Sequence, residues 1–408
     1  MELPDDLRDA LESHPNVIGT CLGTRRVGGQ PTDEPAVIVL VSKKRPVAQL
    51  AASDRIPETV DIDGETIPTD VQEIGEPRIH AGVVRQPPLS ETDRTARWRP
   101  APAGVSIGHE DVTAGTLGTP VLHTETDDPV VLTNAHVAAP IGGSNEGAPI
   151  YQPGPMDGGT TDDRIGTLKT SATIDSEEPN TTDSALVSVR PGRIDHRILG
   201  IGQLVGFEKE PSADATFHKS GRTTGVTSGR RRGHDARVRV GGYYDSPVTF
   251  EGVTIFDPMS TGGDSGSLIG IHRSDGFYGT DLLFAGSDRV TLAVPIAAVE
   301  AAHGPLEVTR PADTTQKFSD RVGHRLRAAY GTANVSPTDG AASYVVSTPM
   351  VRLVVAVATD RASFDRAVTT AIAARDSHNG VPVVVHPEGL LEAATIEAIS
   401  YHVCLVSL

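Results

Sequence analysis

The chemistry in this chain concentrates in Thr261-Gly262-Gly263-Asp264-Ser265-Gly266. A hydroxyl set among glycines, directly after Gly-Asp, sits where the backbone can turn without a Cβ penalty. Such a turn exposes Oγ of Ser265 for nucleophilic attack. It also aims the N–H groups of Gly263 and Ser265 at one point, where a tetrahedral oxyanion could sit. A serine nucleophile needs a base, and the base needs an orienting group. The apolar run Val130-Val131-Leu132-Thr133-Asn134-Ala135 ends at His136, and Asp183 stands at the mouth of a second run, Ala185-Leu186-Val187. His136, Asp183 and Ser265 are then the parts of an acyl-transfer site. Taken singly, each has an ordinary structural role: a core histidine at a strand end, a helix or turn cap, a polar turn residue.

Together these fragments resemble the trypsin-like family of serine proteases. Thr133-Asn134-Ala135-His136 is similar to that family's Thr-Ala-Ala-His, and Asp183-Ser184-Ala185-Leu186 to its Asp-Ile-Ala-Leu. Gly263-Asp264-Ser265-Gly266 is its Gly-Asp-Ser-Gly unchanged. The order His, Asp, Ser and the spacings also match. Gly221-Arg222-Thr223-Thr224-Gly225-Val226-Thr227-Ser228-Gly229 resembles the Gly-Arg-Thr-Thr-Gly-x-Thr-x-Gly segment of a bacterial and archaeal branch. That branch is similar to the plant narrow-leaf proteases and, more distantly, to the high-temperature-requirement proteases.

The resemblance implies a central all-β double β-barrel of chymotrypsin-like type and peptide-bond hydrolysis through an acyl-enzyme. In that chemistry Ser265 attacks the carbonyl, and His136 takes its proton and returns it to the leaving amine. Asp183 fixes the imidazole, and Gly263 and Ser265 supply the oxyanion donors. Protein or peptide substrates are implied, with neither metal nor cofactor. Leu282 to Ser287 resembles the strand flanking the substrate side chain, so Ala285 and Gly286 would wall the pocket. The residue six before the nucleophile, at the pocket base, is Met259. An apolar thioether there favours small or medium apolar side chains. The alternative is Asp257, which would select Arg or Lys if the loop path differs. In secreted relatives the Asp before the nucleophile pairs with a freed N-terminal amine, so Asp264 must here find another donor, an Arg or backbone N–H, or remain solvated. Two further readings stay open: a catalytically idle binding scaffold, and an esterase using the same three residues.

Stepping outward, a hairpin must deliver the base. Ala114 to Val121 begins a strand, Asp127-Asp128-Pro129 turns, and Val130 to Thr133 returns to His136. Residues 1–85 read as a small α+β domain: a helix around Leu7–Leu11, strands Val17–Leu22 and Ala36–Val41, and a hairpin turning at Asp63-Gly64. Residues 86–102 read as a Pro-rich linker, 103–303 as the protease barrels, and 304–318 as a second linker. From 319 to 408 apolar strands alternate with helical spacing, at Val351–Ala358, Arg361–Arg375, Val381–Val385, Leu390–Ile399 and His402–Leu408. That alternation predicts an α/β domain.

The chain has 408 residues and a net charge of −17, with 30 arginines but only six lysines. Such a carboxylate-rich, lysine-poor surface fits a high-salt cytoplasm, where salt screens the repulsion. The sign of the charge disfavours nucleic acid, and Arg230-Arg231-Arg232 reads as a solvated turn. Only Cys21 and Cys404 are present, which fits a reducing compartment. No secretory signal and no membrane span are evident. The expectation is a cytoplasmic enzyme, with regulation by the flanking domains or by assembly into a homo-oligomer left open. His218, His234 and His272 read as structural or surface residues.

Overall fold

The computed structural model describes residues 2–79, 93–112, 114–124, 128–142, 146–189 and 193–309, with short segments beyond. Residues 1–125, 130–188 and 196–308 form one compact unit, and residues 126–129, 189–195 and 309–408 form another. Among the described residues helices are few, and β-strands in three sheets dominate. Among the described residues no helix is long and apolar enough to cross a membrane.

The first unit opens with α1 (Asp5–Glu12), β1 (Val17–Val27), β2 (Gln30–Val41), β3 (Thr59–Ile62), β4 (Glu65–Glu73) and β5 (Arg78–Ile79). The hairpin β3–β4 turns through Asp63 at φ 53° and Gly64 at φ 84°, a turn that needs two residues able to adopt positive φ. The continuous apolar run in β2 has a physical reason. Ala36, Ile38 and Leu40 feed the large core, while Val37, Val39 and Val41 pack with Leu3, Leu11, Val60 and Ile62 in a second one. A strand buried on both faces cannot alternate with polar residues. The leader strands do not stand apart, because β1 pairs antiparallel with Gly225–Val240.

Six strands close a ring: Thr216–Gly221, Gly225–Val240, Val248–Phe256, Thr291–Pro295, Gly276–Gly286 and Leu268–Arg273, which returns to Thr216–Gly221. An eight-stranded sheet carries the strands that flank His136 and Asp183. In it the hairpin Thr119–His123 and Asp128–Thr133 lies beside Ala185–Val189. One core joins both halves: Val121, Val130, Leu132 and Leu186 from the eight-stranded sheet meet Val238, Phe250, Phe284 and Leu292 from the ring. The Pro-rich stretch is described from residue 93 and is tied down there. Arg94 donates to Gly104 O at 2.9 Å and Ser220 Oγ at 2.7 Å, and Trp98 Nε1 donates to Asp93 O at 2.9 Å. Cys21 is a free, buried thiol that burial pushes up to about 12.

The second unit holds a five-stranded sheet in the order Val335–Pro337, Ser343–Ser347, Arg352–Val357, Val381–His386, Cys404–Ser407. The last three strands run parallel, and Val354, Val355, Val384 and Val385 are buried on both faces, as a parallel sheet requires. The antiparallel first two strands were not expected from the sequence. Phe364, Ala367 and Ala371 are helical and buried, a helical spacing within the expected 361–375 helix. The helix expected at 390–399 lies outside the described residues.

Candidate active site

His136 stands in a short helix, Ala135–Ala138, just after the strand Asp128–Thr133. Asp183 stands two residues before Ala185–Val189, the strand that pairs with it. Thr133 opposite Ala185 in that register brings the two side chains together. Asp183 Oδ2 bonds His136 Nδ1, and the His136 backbone N–H donates to Asp183 Oδ1 at 3.2 Å. A third donor, the phenol of Tyr243, reaches the same Oδ2. Asn134 Nδ2 fixes the Asp183 carbonyl at 2.5 Å.

Asp183 is fully buried. Burial alone would raise its carboxyl, but facing His136, with the bonds from His136 and Tyr243, holds it below the ordinary 3.8. Burial and the adjacent carboxylate push the Tyr243 phenol well above its ordinary 10.0, so it remains a donor. With Nδ1 directed at Asp183, the other imidazole nitrogen is left to act. His136 Nε2 is buried and has no hydrogen-bond partner among the described residues.

Ser265 is placed by its neighbours. Gly263 and Gly266 adopt φ 93° and 94°, where a side chain would be strained. Thr116 from the other sheet grips this loop: its N–H donates to Ser265 O at 2.7 Å and its hydroxyl to Gly263 O at 2.8 Å. Gly115 permits the close approach. A Cβ there would lie 2.3 Å from Val137 Cγ2 and 2.9 Å from Ser265 O, so Val137, next to His136, and Ser265 meet across it. The N–H groups of Gly263 and Ser265 donate to no protein acceptor among the described residues. The Gly262 carbonyl is held by Thr223 Oγ1 at 2.7 Å. Ser265 Oγ itself donates to Phe284 O at 3.1 Å and not to His136. His136 and Asp183 are thus joined directly, and Ser265 is not bonded to them.

Asp264 finds a donor that sequence reasoning missed. Lys219 Nζ lies 3.3 Å from Asp264 Oδ2, with both side chains fully buried. The Thr224 hydroxyl donates at 2.6 Å, and the N–H groups of Thr223, Thr224 and Thr261 at 2.9, 3.1 and 3.0 Å. Burial would raise the Asp264 carboxyl, but Lys219 and these donors hold it below the usual range. The next residues of that segment bring a buried Arg222–Asp157 pair against the same loop, Nε to Oδ2 2.6 Å. The expected donors were an Arg or backbone N–H; the cation is a lysine, and the backbone N–H groups are present.

Met259 is 4% exposed and packs with Phe217, Phe256, Ile269 and Leu283. Its N–H donates to Thr291 Oγ1 at 3.0 Å. Asp257 is engaged by Arg232 at 2.7 Å and by the Arg230 N–H at 3.1 Å. A cavity of about 200 Å³ opens beside His136, lined by Ala139, Ile141, Ser171 and Ile174. His109, Glu110 and Asp111 bring ligand atoms within 4.8 Å of one another, but two of these neighbours are exposed. His218 and His272 pack against each other, ring centroids 5.0 Å apart.

No family model and no curated protein matches the chain. Many solved structures are similar to it, among them three that align over about half of the chain. Thermobifida fusca Protease A aligns at TM-score 0.39 and 18% identity, covering 52% of this chain and 100% of its own. Cellulomonas bogoriensis chymotrypsin aligns at TM-score 0.36 and 17%, covering 51% and 97%. A Nocardiopsis protease aligns at TM-score 0.37 and 14%, covering 52% and 100%.

Proposed function

We propose that this chain is a serine endopeptidase that hydrolyses peptide bonds through an acyl-enzyme. The observation that carries the reading is the buried imidazole. His136 is clamped at Nδ1 by an ionised Asp183 and leaves Nε2 unpartnered. A buried polar atom without a partner is costly, and a general base awaiting a proton is a reason to tolerate it. For the reaction Ser265 Oγ must leave Phe284 O and turn toward Nε2. The hydroxyl oxygen of Ser265 forms the bond to the substrate carbonyl carbon as its proton passes to Nε2. The unspent N–H groups of Gly263 and Ser265 receive the carbonyl oxygen as it becomes negative. His136 then gives the proton to the leaving amine, and water repeats the sequence to release the acid.

The count from Ser265 that puts Met259 at the pocket base, with Ala285 and Gly286 as walls, favours cleavage after small or medium apolar residues, although the Met259 side chain is packed in an apolar cluster rather than open to a pocket. The engagement of Asp257 by Arg232 counts against basic specificity. Hydrolysis of casein or a peptide library by Ser265→Ala and His136→Ala tests the reading. Each substitution should lower turnover by roughly three decades or more while the melting temperature stays near wild type. Wild-type turnover in Ser265→Ala overturns the assignment.

A further inference from the structure

The strand Gly276–Gly286 has two flanks, and they are covered unequally. Thr291–Pro295 covers one as far as its end, with Ala285 opposite Leu292 and Gly286 opposite Thr291. Leu268–Arg273 covers the other only up to Leu282. Past that point the open flank lies beside the nucleophile: Phe284 O receives Ser265 Oγ, and the strand that stops short begins three residues after Ser265. β5 fills this flank, antiparallel, with Ile79 opposite Ala285 and Arg78 opposite Gly286.

β5 is held from its other side as well. Gly241 donates to Pro77 O at 3.0 Å and accepts from Ile79 N–H at 3.1 Å. Peptide groups along a strand alternate in direction, so the N–H and C=O of Arg78 are left facing Gly286. Ile79 packs against Gly242, where a Cβ would come within 2.8 Å of Ile79 Cγ1. The approach is anchored upstream by Ser287 Oγ, which donates to Ile74 O at 2.6 Å. The antiparallel register runs the chain from Gly286 toward Phe284, in the direction of Ser265. An extended peptide crossing a site built on a sheet docks by adding a strand to an open edge. Here that edge is already taken by the chain itself.

We propose that β5 is an internal ligand of the substrate edge, so that the resting protein is self-inhibited toward extended peptides. The proposal rests on the protease reading above. The edge reads backbone, so its ligand class is an extended polypeptide of tolerant sequence, and β5 and substrate compete for it. Displacement is within reach because β5 is two residues long, and its charged partner Glu76 meets Arg78 only at the exposed surface, at 3.4 Å. A substrate that needs the open form binds weaker by the fraction of molecules that are open.

Two variants of the full chain test this. Arg78→Pro removes the N–H that faces Gly286, and Ile79→Ala removes the side chain against Gly242 while keeping the backbone. The readouts are kcat/KM on peptides with four residues before the scissile bond, and the rate at which a small fluorophosphonate labels Ser265. Both variants should raise peptide kcat/KM by about tenfold, with labelling changed by less than about twofold. Normal labelling with peptide kcat/KM unchanged or lowered in Ile79→Ala, at an unchanged melting temperature, overturns the self-inhibition. Absence of labelling in every form, wild type included, removes the protease reading and this proposal with it.

Discussion

Lys219 and Asp264 form an ion pair, Nζ to Oδ2 3.3 Å, in which neither side chain has any exposed surface. Asp264 lies immediately before Ser265, so the pair sets the backbone that bears Ser265. Removing one partner leaves the other charge buried and uncompensated. Lys219→Met should therefore cost about 3–5 kcal/mol and lower turnover, with Lys219→Arg retaining part of both. Thermal melting and peptide hydrolysis measure the two effects. A Lys219→Met protein as stable and active as wild type contradicts the role.

The same carboxylates predict an acid limit. Asp183 and Asp264 both have folded values below the 3.8 of the unfolded group. Their contribution to stability is complete above that value and is lost as pH falls through the lower folded values. The melting temperature should drop steeply below about pH 4, and more shallowly in Asp264→Asn. A wild-type curve flat from about pH 5 to 3 counts against ionised, paired carboxylates.

Tyr243 donates to the Asp183 carboxylate while its ring lies edge-on to His136, centroids 6.0 Å apart. Tyr243→Phe keeps the ring and deletes the donor. The loss of one bond to a buried carboxylate should cost about 1–3 kcal/mol, read as lower stability and roughly tenfold lower kcat with KM little changed. An equal change in KM alone points to substrate contact instead.

The net charge of −17 predicts that the melting temperature rises as KCl goes from dilute to molar, because salt screens carboxylate repulsion. A flat or falling curve argues against a halophilic origin.

The chemistry was more legible in the sequence than the supports around it. Ser265 and its glycines are contiguous, and His136 and Asp183 each follow or precede an apolar strand, so local pattern marks them. Tyr243, Thr116 and Lys219 come from distant parts of the chain, and nothing beside them in sequence signals a shared loop. The six consecutive buried residues of β2 could be read as apolar but not as serving two cores. β5 has two residues, too few to show a period, and a strand's edge does not state its partner. For the same reason the pairing of β1 with the 225–240 strand was invisible in a leader read as a unit of its own. Met259 was reached by counting from Ser265, and the structure places it in an apolar cluster, where its side chain is packed rather than open.

The central claim is that Ser265 is a nucleophile activated by His136. Treatment of the full chain with a fluorophosphonate, followed by peptide mapping, tests it most directly. The account predicts a single covalent adduct on Ser265, absent in Ser265→Ala and slowed by at least about a hundredfold in His136→Ala. Failure of the wild-type protein to label, or equal labelling in Ser265→Ala, would contradict it.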